Sequence, residues 1–216
     1  MERKATAVFF ESPESRENPK KTVHIFGVMR GGTTSVAGVV NMLGVHLGDT
    51  VGNNLEDRRF YGPENLPLMP GHIEESNSAR DVWGWKFPHS IEYLEDILPL
   101  LRNPRLILVT RDAGAVYLGM QRRNDWPPER AVFMSFNRAK RNFEFFKRHR
   151  LPTLIVSYEK LLLHPRSTVC EIADYLAVDV DEETMKHCLE WVEPESYKKT
   201  ATHADLARLV GQKLDK

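Results

Sequence analysis

The sequence predicts an α/β fold of three layers, a mostly parallel sheet flanked by helices. Two stretches and one pattern predict it. Thr22-Val23-His24-Ile25-Phe26-Gly27 reads as a short buried strand that runs into a glycine- and threonine-rich loop and then an amphipathic helix. Arg105-Leu106-Ile107-Leu108-Val109-Thr110 is a continuous apolar run, as found at the centre of a parallel sheet covered on both faces. Along the whole chain, strands alternate with helical patterns, the order of a parallel α/β sheet.

Taken in order, residues 1–21 read as a polar, loosely ordered N-terminal arm, ahead of one domain over 22–216. After the first strand and its loop, Val36, Val39, Val40 and Leu43 fall at i, i+3, i+4 and i+7, one face of a helix. Gly44 suits its end. Residues 45–81 carry Gly48, Gly52, Gly62, Pro63, Pro67, Pro70 and Gly71 and read as a long irregular loop, a length associated with function. Val82–Phe87 reads as a second strand. Ile91–Leu101 reads as a helix with Ile91, Leu94, Ile97, Leu98 and Leu101 on one stripe. Helices are expected at Asp112–Arg123, Glu129–His149, Ser167–Leu176 and Glu182–Trp191, with a further strand at Leu154–Tyr158. No repeat or low-complexity linker divides the chain.

With 216 residues, 41% hydrophobic and 28% charged, the chain has the profile of a soluble globular domain able to bury a core. Thirty Lys and Arg balance thirty Asp and Glu. No global excess therefore favours nucleic acid or a membrane surface, and any anion site has to be local. No run approaches the ~20 apolar residues that cross a bilayer, and Met1–Lys21 lacks the apolar stretch of a signal peptide. Cys170 and Cys188 both fall in helical patterns, which favours packing over a disulfide. His24, His46, His72 and His164 have no zinc-binding spacing, so no metal is expected. The setting expected is cytoplasmic.

The loop Gly27-Val28-Met29-Arg30-Gly31-Gly32-Thr33-Thr34 carries the chemistry. Its glycine spacing makes the predicted fold P-loop nucleotide-binding-like. Glycines let successive amides point at one anion, and the helix that follows adds its positive end. The nucleoside-triphosphate version has lysine after the last glycine. Here that position is Thr33 and the cation is Arg30, inside the loop. Kinase or NTPase chemistry loses its main charge stabiliser by that change.

Phe26–Thr34 resembles the 5′-phosphosulfate-binding loop of sulfotransferases that use 3′-phosphoadenosine 5′-phosphosulfate (PAPS). By that resemblance Arg30, Gly31, Gly32, Thr33 and Thr34 hold the sulfate-bearing 5′-phosphate. Leu106–Asp112 is similar to the family's 3′-phosphate strand, which gives that role to Arg111. A serine common eight residues later is Gly119 in this chain, so a replacement contact is expected, with Arg122 or Arg123 as candidates. The family's C-terminal basic loop is not evident, Lys198 and Lys199 being the nearest substitutes. Leu154–Leu161 resembles a third segment and places Tyr158 near the adenine. Trp83–His89 resembles the strand that brings a lysine, Lys86, to the reacting centre. Related carbohydrate sulfotransferases take a glutamate shortly after the first helix as base, which points to Glu56, with Asp57 and His89 behind it.

The resemblance implies transfer of a sulfuryl group from PAPS to a hydroxyl of a carbohydrate or small metabolite. Two other classes stay open: a P-loop nucleotide kinase or NTPase, and a binding module without turnover. The basic run Arg138, Lys140, Arg141, Lys147, Arg148 and Arg150 reads as the solvated face of a helix. The acceptor and the oligomeric state are not encoded in any motif.

Overall fold

The structure, a computed structural model, describes residues 4–49, 51–124 and 127–193, with the backbone alone at 122–124. Chain order is β1 (Thr6–Phe9), α1 (Pro13–Glu17), β2 (Lys21–Gly27), α2 (Thr33–Met42), α3 (Met69–Ala79), β3 (Val82–Lys86), α4 (Leu94–Ile97) and β4 (Pro104–Thr110). It continues with α5 (Ala113–Asn124), α6 (Pro128–His149), β5 (Thr153–Ser157), α7 (Tyr158–Leu163), α8 (Pro165–Leu176) and α9 (Glu182–Val192).

The five strands form one sheet in the order β1-β5-β4-β2-β3. All neighbours are parallel except β1, which runs antiparallel to β5. Residue alternation sorts the sheet's side chains into two cores. Val23, Ile25, Ile107, Val109, Leu154 and Val156 face one side and pack with Val36, Val40, Ile172 and Trp191 of α2, α8 and α9. Phe26, Trp83, Trp85, Leu106 and Leu108 face the other and pack with Ile73, Leu94, Ile97 and Phe145 of α3, α4 and α6. This is the three-layer α/β arrangement.

From β2 the chain crosses to β3 on one side and returns to β4 on the other. The loops leaving β2 and β4 therefore diverge, opening a crevice at the carboxyl ends of these two strands. Ligands of α/β sheets bind at such a switch point.

Three stretches differ from the sequence-based expectation. The described part of the arm holds β1 and α1. Its Thr6–Phe9 pairs with Thr153–Val156, and Glu171 of α8 accepts hydrogen bonds from the Ala5 amide (2.8 Å), the Thr6 amide (2.7 Å) and the Thr6 hydroxyl (2.5 Å). Further along the arm, Glu11 pairs with the fully buried Arg105 of β4. A buried guanidinium needs a counter-charge, and the arm supplies it. The expected irregular stretch 45–81 contains α3. Pro70 and Gly71 looked like breakers but sit in its first turn, where proline removes no helical bond. The single helix expected at Ile91–Leu101 is divided into 3-10 turns around α4, with Pro99 in the last. Its apolar stripe is real: Leu94, Ile97 and Leu101 are buried.

Cys170 is exposed and Cys188 buried, and neither is in a disulfide among the described residues. Among the described residues no helix is long and apolar enough to cross a membrane.

Candidate active site

The loop after β2 is shaped by two left-handed residues, Arg30 (φ 64°) and Gly32 (φ 88°). This conformation is unfavourable for a side-chain-bearing residue such as Arg30. Alternation of this kind curls the backbone into an anion-binding concavity. The turn is closed by the Gly31 amide donating to the Val28 carbonyl at 2.9 Å. Gly32 then caps α2 without any side-chain hydrogen bond, and no acidic residue lies in the first turn. The positive end of α2 is thus neither capped by a side chain nor neutralised. A side chain at Gly32 would collide with the ring of Tyr158.

The end of β3 supplies Lys86, which is 1% exposed. Its Nζ donates to Glu56 Oε1 at 2.6 Å and to Thr34 Oγ1 at 3.3 Å. The Thr34 hydroxyl in turn reaches the Asn54 carbonyl at 3.4 Å. Burial pushes the Lys86 ammonium below its ordinary pKa, and the Glu56 carboxylate opposes that shift. Lysine, carboxylate and threonine hydroxyl, from three different segments, form one bonded group.

The end of β4 supplies Arg111. Its Nη1 donates to the Arg30 carbonyl at 2.8 Å, and its guanidinium lies 4.6 Å from the centre of the Tyr158 ring. The neighbouring Asp112 is engaged elsewhere: its carboxylate accepts the Ala115 amide at 2.9 Å and so caps α5. Tyr158, the first residue of α7, is held between Gly32 and Arg111.

These groups border one cleft of about 300 Å³, lined also by Met29, Asn54, Phe87, Pro88 and His89. Three cationic side chains and one carboxylate meet there, so the site favours an anion. The buried Nε atoms of Arg30 and Arg111 have no protein partner, so the protein satisfies each guanidinium only in part.

No protein-family model matches the sequence, and no curated protein matches it. Solved structures do match the fold. The sulfotransferase domain of the Synechococcus PCC 7002 olefin synthase aligns with a TM-score of 0.57 at 17% identity, over 93% of this chain and 96% of that one. The mouse sulfotransferase SULT7A1, complexed with PAP, aligns at 0.54 and 13%, over 86% and 69%. Sulfotransferase STF9 from Mycobacterium avium aligns at 0.52 and 11%, over 94% and 78%. The chain has the sulfotransferase fold.

In that fold the expected loop residues Arg30, Gly32, Thr33 and Thr34 line the cleft together with Lys86, Glu56, Arg111 and Tyr158. Gly31 forms the turn beneath them. His89 also borders the cleft, but its Nε2 faces Arg138 Nη1 at 3.5 Å and its Nδ1 is covered. A guanidinium can only donate, so in this contact Nε2 is the acceptor. Asp57 is buried and bonded to Arg59, at 2.6 Å from its Nη2. Of the three bases considered, Glu56 alone borders the cleft with its carboxylate already in contact with another site residue. The side chains of Arg122 and Arg123, and Lys198 and Lys199, lie outside the described residues.

Sequence reasoning missed that Tyr158 wedges against Gly32 and that Arg30 lies along Gly119 of α5. Both are contacts between distant segments. The only sequence signal was the unexplained Gly119 itself.

Proposed function

We propose that this chain is a sulfotransferase that takes PAPS as donor and a hydroxyl of a carbohydrate or small metabolite as acceptor, without a metal. One observation supports this reading above others: the curled loop, the Lys86–Glu56–Thr34 group and Arg111 converge on one cleft at the switch between β2 and β4. Two arginines and one lysine against a single carboxylate in its lining suit an anionic ligand.

In this reading the loop amides, the start of α2, Thr33 and Thr34 hold the 5′-phosphosulfate, and Arg111 holds the 3′-phosphate. A fork of guanidinium donors suits a phosphate better than a point charge does. Lys86 stabilises the charge that grows on the phosphate oxygen as the S–O bond breaks. Glu56 accepts the proton of the attacking hydroxyl. Charge stabilisation and alignment supply most of the rate in such transfers. The partially desolvated ammonium of Lys86 acts more strongly than one in water.

The test is a thermal-shift titration followed by an assay. A ligand bound only by the native state raises its melting temperature. Adenosine 3′,5′-bisphosphate is expected to stabilise the chain more than ATP with magnesium. Arg111→Ala is expected to lose most transfer of labelled sulfate from PAPS to a panel of alcohols and sugars, while keeping its fold. Preference for ATP would instead establish a nucleotide kinase or NTPase. Binding of the bisphosphate with no transfer to any acceptor would establish a binding module.

A further inference from the structure

The cations of the cleft divide into two groups. Lys86 sits at the Thr34 side, within hydrogen-bond reach of its hydroxyl. Arg30 and Arg111 are joined to each other, Arg111 Nη1 donating to the Arg30 carbonyl at 2.8 Å. The Arg30 side chain lies flat along α5. A Cβ built on Gly119 would stand 3.2 Å from Arg30 Cβ, 3.5 Å from its Cγ and 3.6 Å from its Nε. The stem therefore occupies the space that a side chain at 119 would take. Its Nε and that of Arg111 are both buried and unpartnered. Two cations lining one cleft with donors that the protein leaves unpaired favour an anion there.

We infer that Arg30 and Arg111 form one two-pronged phosphate clamp at the α5 side of the cleft, and that Gly119 is the opening that lets Arg30 reach it. This rests on the donor reading above. It assigns the Arg30 guanidinium to the 3′-phosphate, away from the sulfate-bearing end that the sequence resemblance suggested. Arg30 supplies there the contact that Gly119, without a hydroxyl, does not. Discrimination between nucleotides with and without a 3′-phosphate then depends on a loop residue as well as on a strand residue.

The test is calorimetric titration of the full chain with adenosine 3′,5′-bisphosphate and with adenosine 5′-monophosphate. The wild type is expected to prefer the bisphosphate. Arg30→Ala is expected to cut that preference roughly tenfold or more, as for loss of one charged hydrogen-bonding partner, and to leave monophosphate affinity nearly unchanged. Gly119→Val, which presses on the stem while keeping both arginines, is expected to act in the same direction. Thermal melts of the unliganded variants separate binding loss from unfolding. If Arg30→Ala weakens both nucleotides equally, Arg30 serves the 5′ end and the clamp is refuted while the donor reading stands. A Gly119→Val chain that keeps the full preference refutes the role of the opening. If the wild type itself shows no preference for the bisphosphate, the donor reading fails, and the clamp with it.

Discussion

At the scale of single residues, the site is fixed by the fit of Gly32 against the Tyr158 ring. A methyl group at Gly32 meets that ring and also a left-handed backbone. Gly32→Ala is expected to cost about 1–3 kcal/mol of stability, the range for a strained backbone position. It should also weaken binding of adenosine 3′,5′-bisphosphate more than about tenfold, because the loop must move to relieve the collision. Urea melts and titrations check both. Adding Tyr158→Ala to this variant should recover part of the stability but not the affinity, since the ring also braces Arg111. Full affinity in the single variant would show that the loop tolerates displacement.

At the scale of elements, the strand–loop–helix unit and β4 were legible because each carries its own signal. An apolar run bounded by glycine marks Lys21–Gly27, and helical spacing of Val36, Val39 and Val40 marks α2. What the sequence concealed depends on distant partners. The arm looks polar and free, yet a single carboxylate on α8 satisfies three of its donors. Glu171→Ala is expected to destabilise the chain by about 1–3 kcal/mol, the range for stranding partly buried donors. Limited proteolysis should then cut within residues 4–20 before the rest of the domain unfolds. Equal protease resistance in variant and wild type would show that Glu171 is not needed to hold β1. The site was legible to a similar degree. Arg30 and the two threonines could be named from the local loop motif, and Arg111, Glu56 and Lys86 by resemblance. That Asp112 caps α5 while Arg111 faces the cleft follows only from packing.

At the scale of the whole molecule, one histidine ties the sheet to acid stability. His24 lies in β2, fully buried, with Nδ1 3.2 Å from the Trp85 carbonyl and Nε2 2.5 Å from the Ser90 hydroxyl. The carbonyl only accepts, so Nδ1 carries the proton and Nε2 accepts from Ser90. Burial lowers its pKa to about 3. The unfolded chain takes up a proton near pH 6.5 that the fold refuses. Stability from this group is therefore complete above pH 6.5 and is lost as pH falls from there toward 3. Between pH 7 and pH 5 the loss is on the order of 2 kcal/mol. Urea melts at both pH values should show a smaller difference in His24→Asn than in the wild type. An identical acid dependence in the two would mean that other groups set it.

The bond between Lys86 and Glu56 has a consequence for descent. Each partner neutralises the other at the cleft wall, where the side chain of Lys86 is 1% and that of Glu56 14% exposed. Loss of either one alone strands a charge there, whereas loss of both together costs less. The two positions thus behave as one heritable character. Lineages of this chain should keep both or replace both, and a lineage caught with only one should be poorly folded until its counterpart changes.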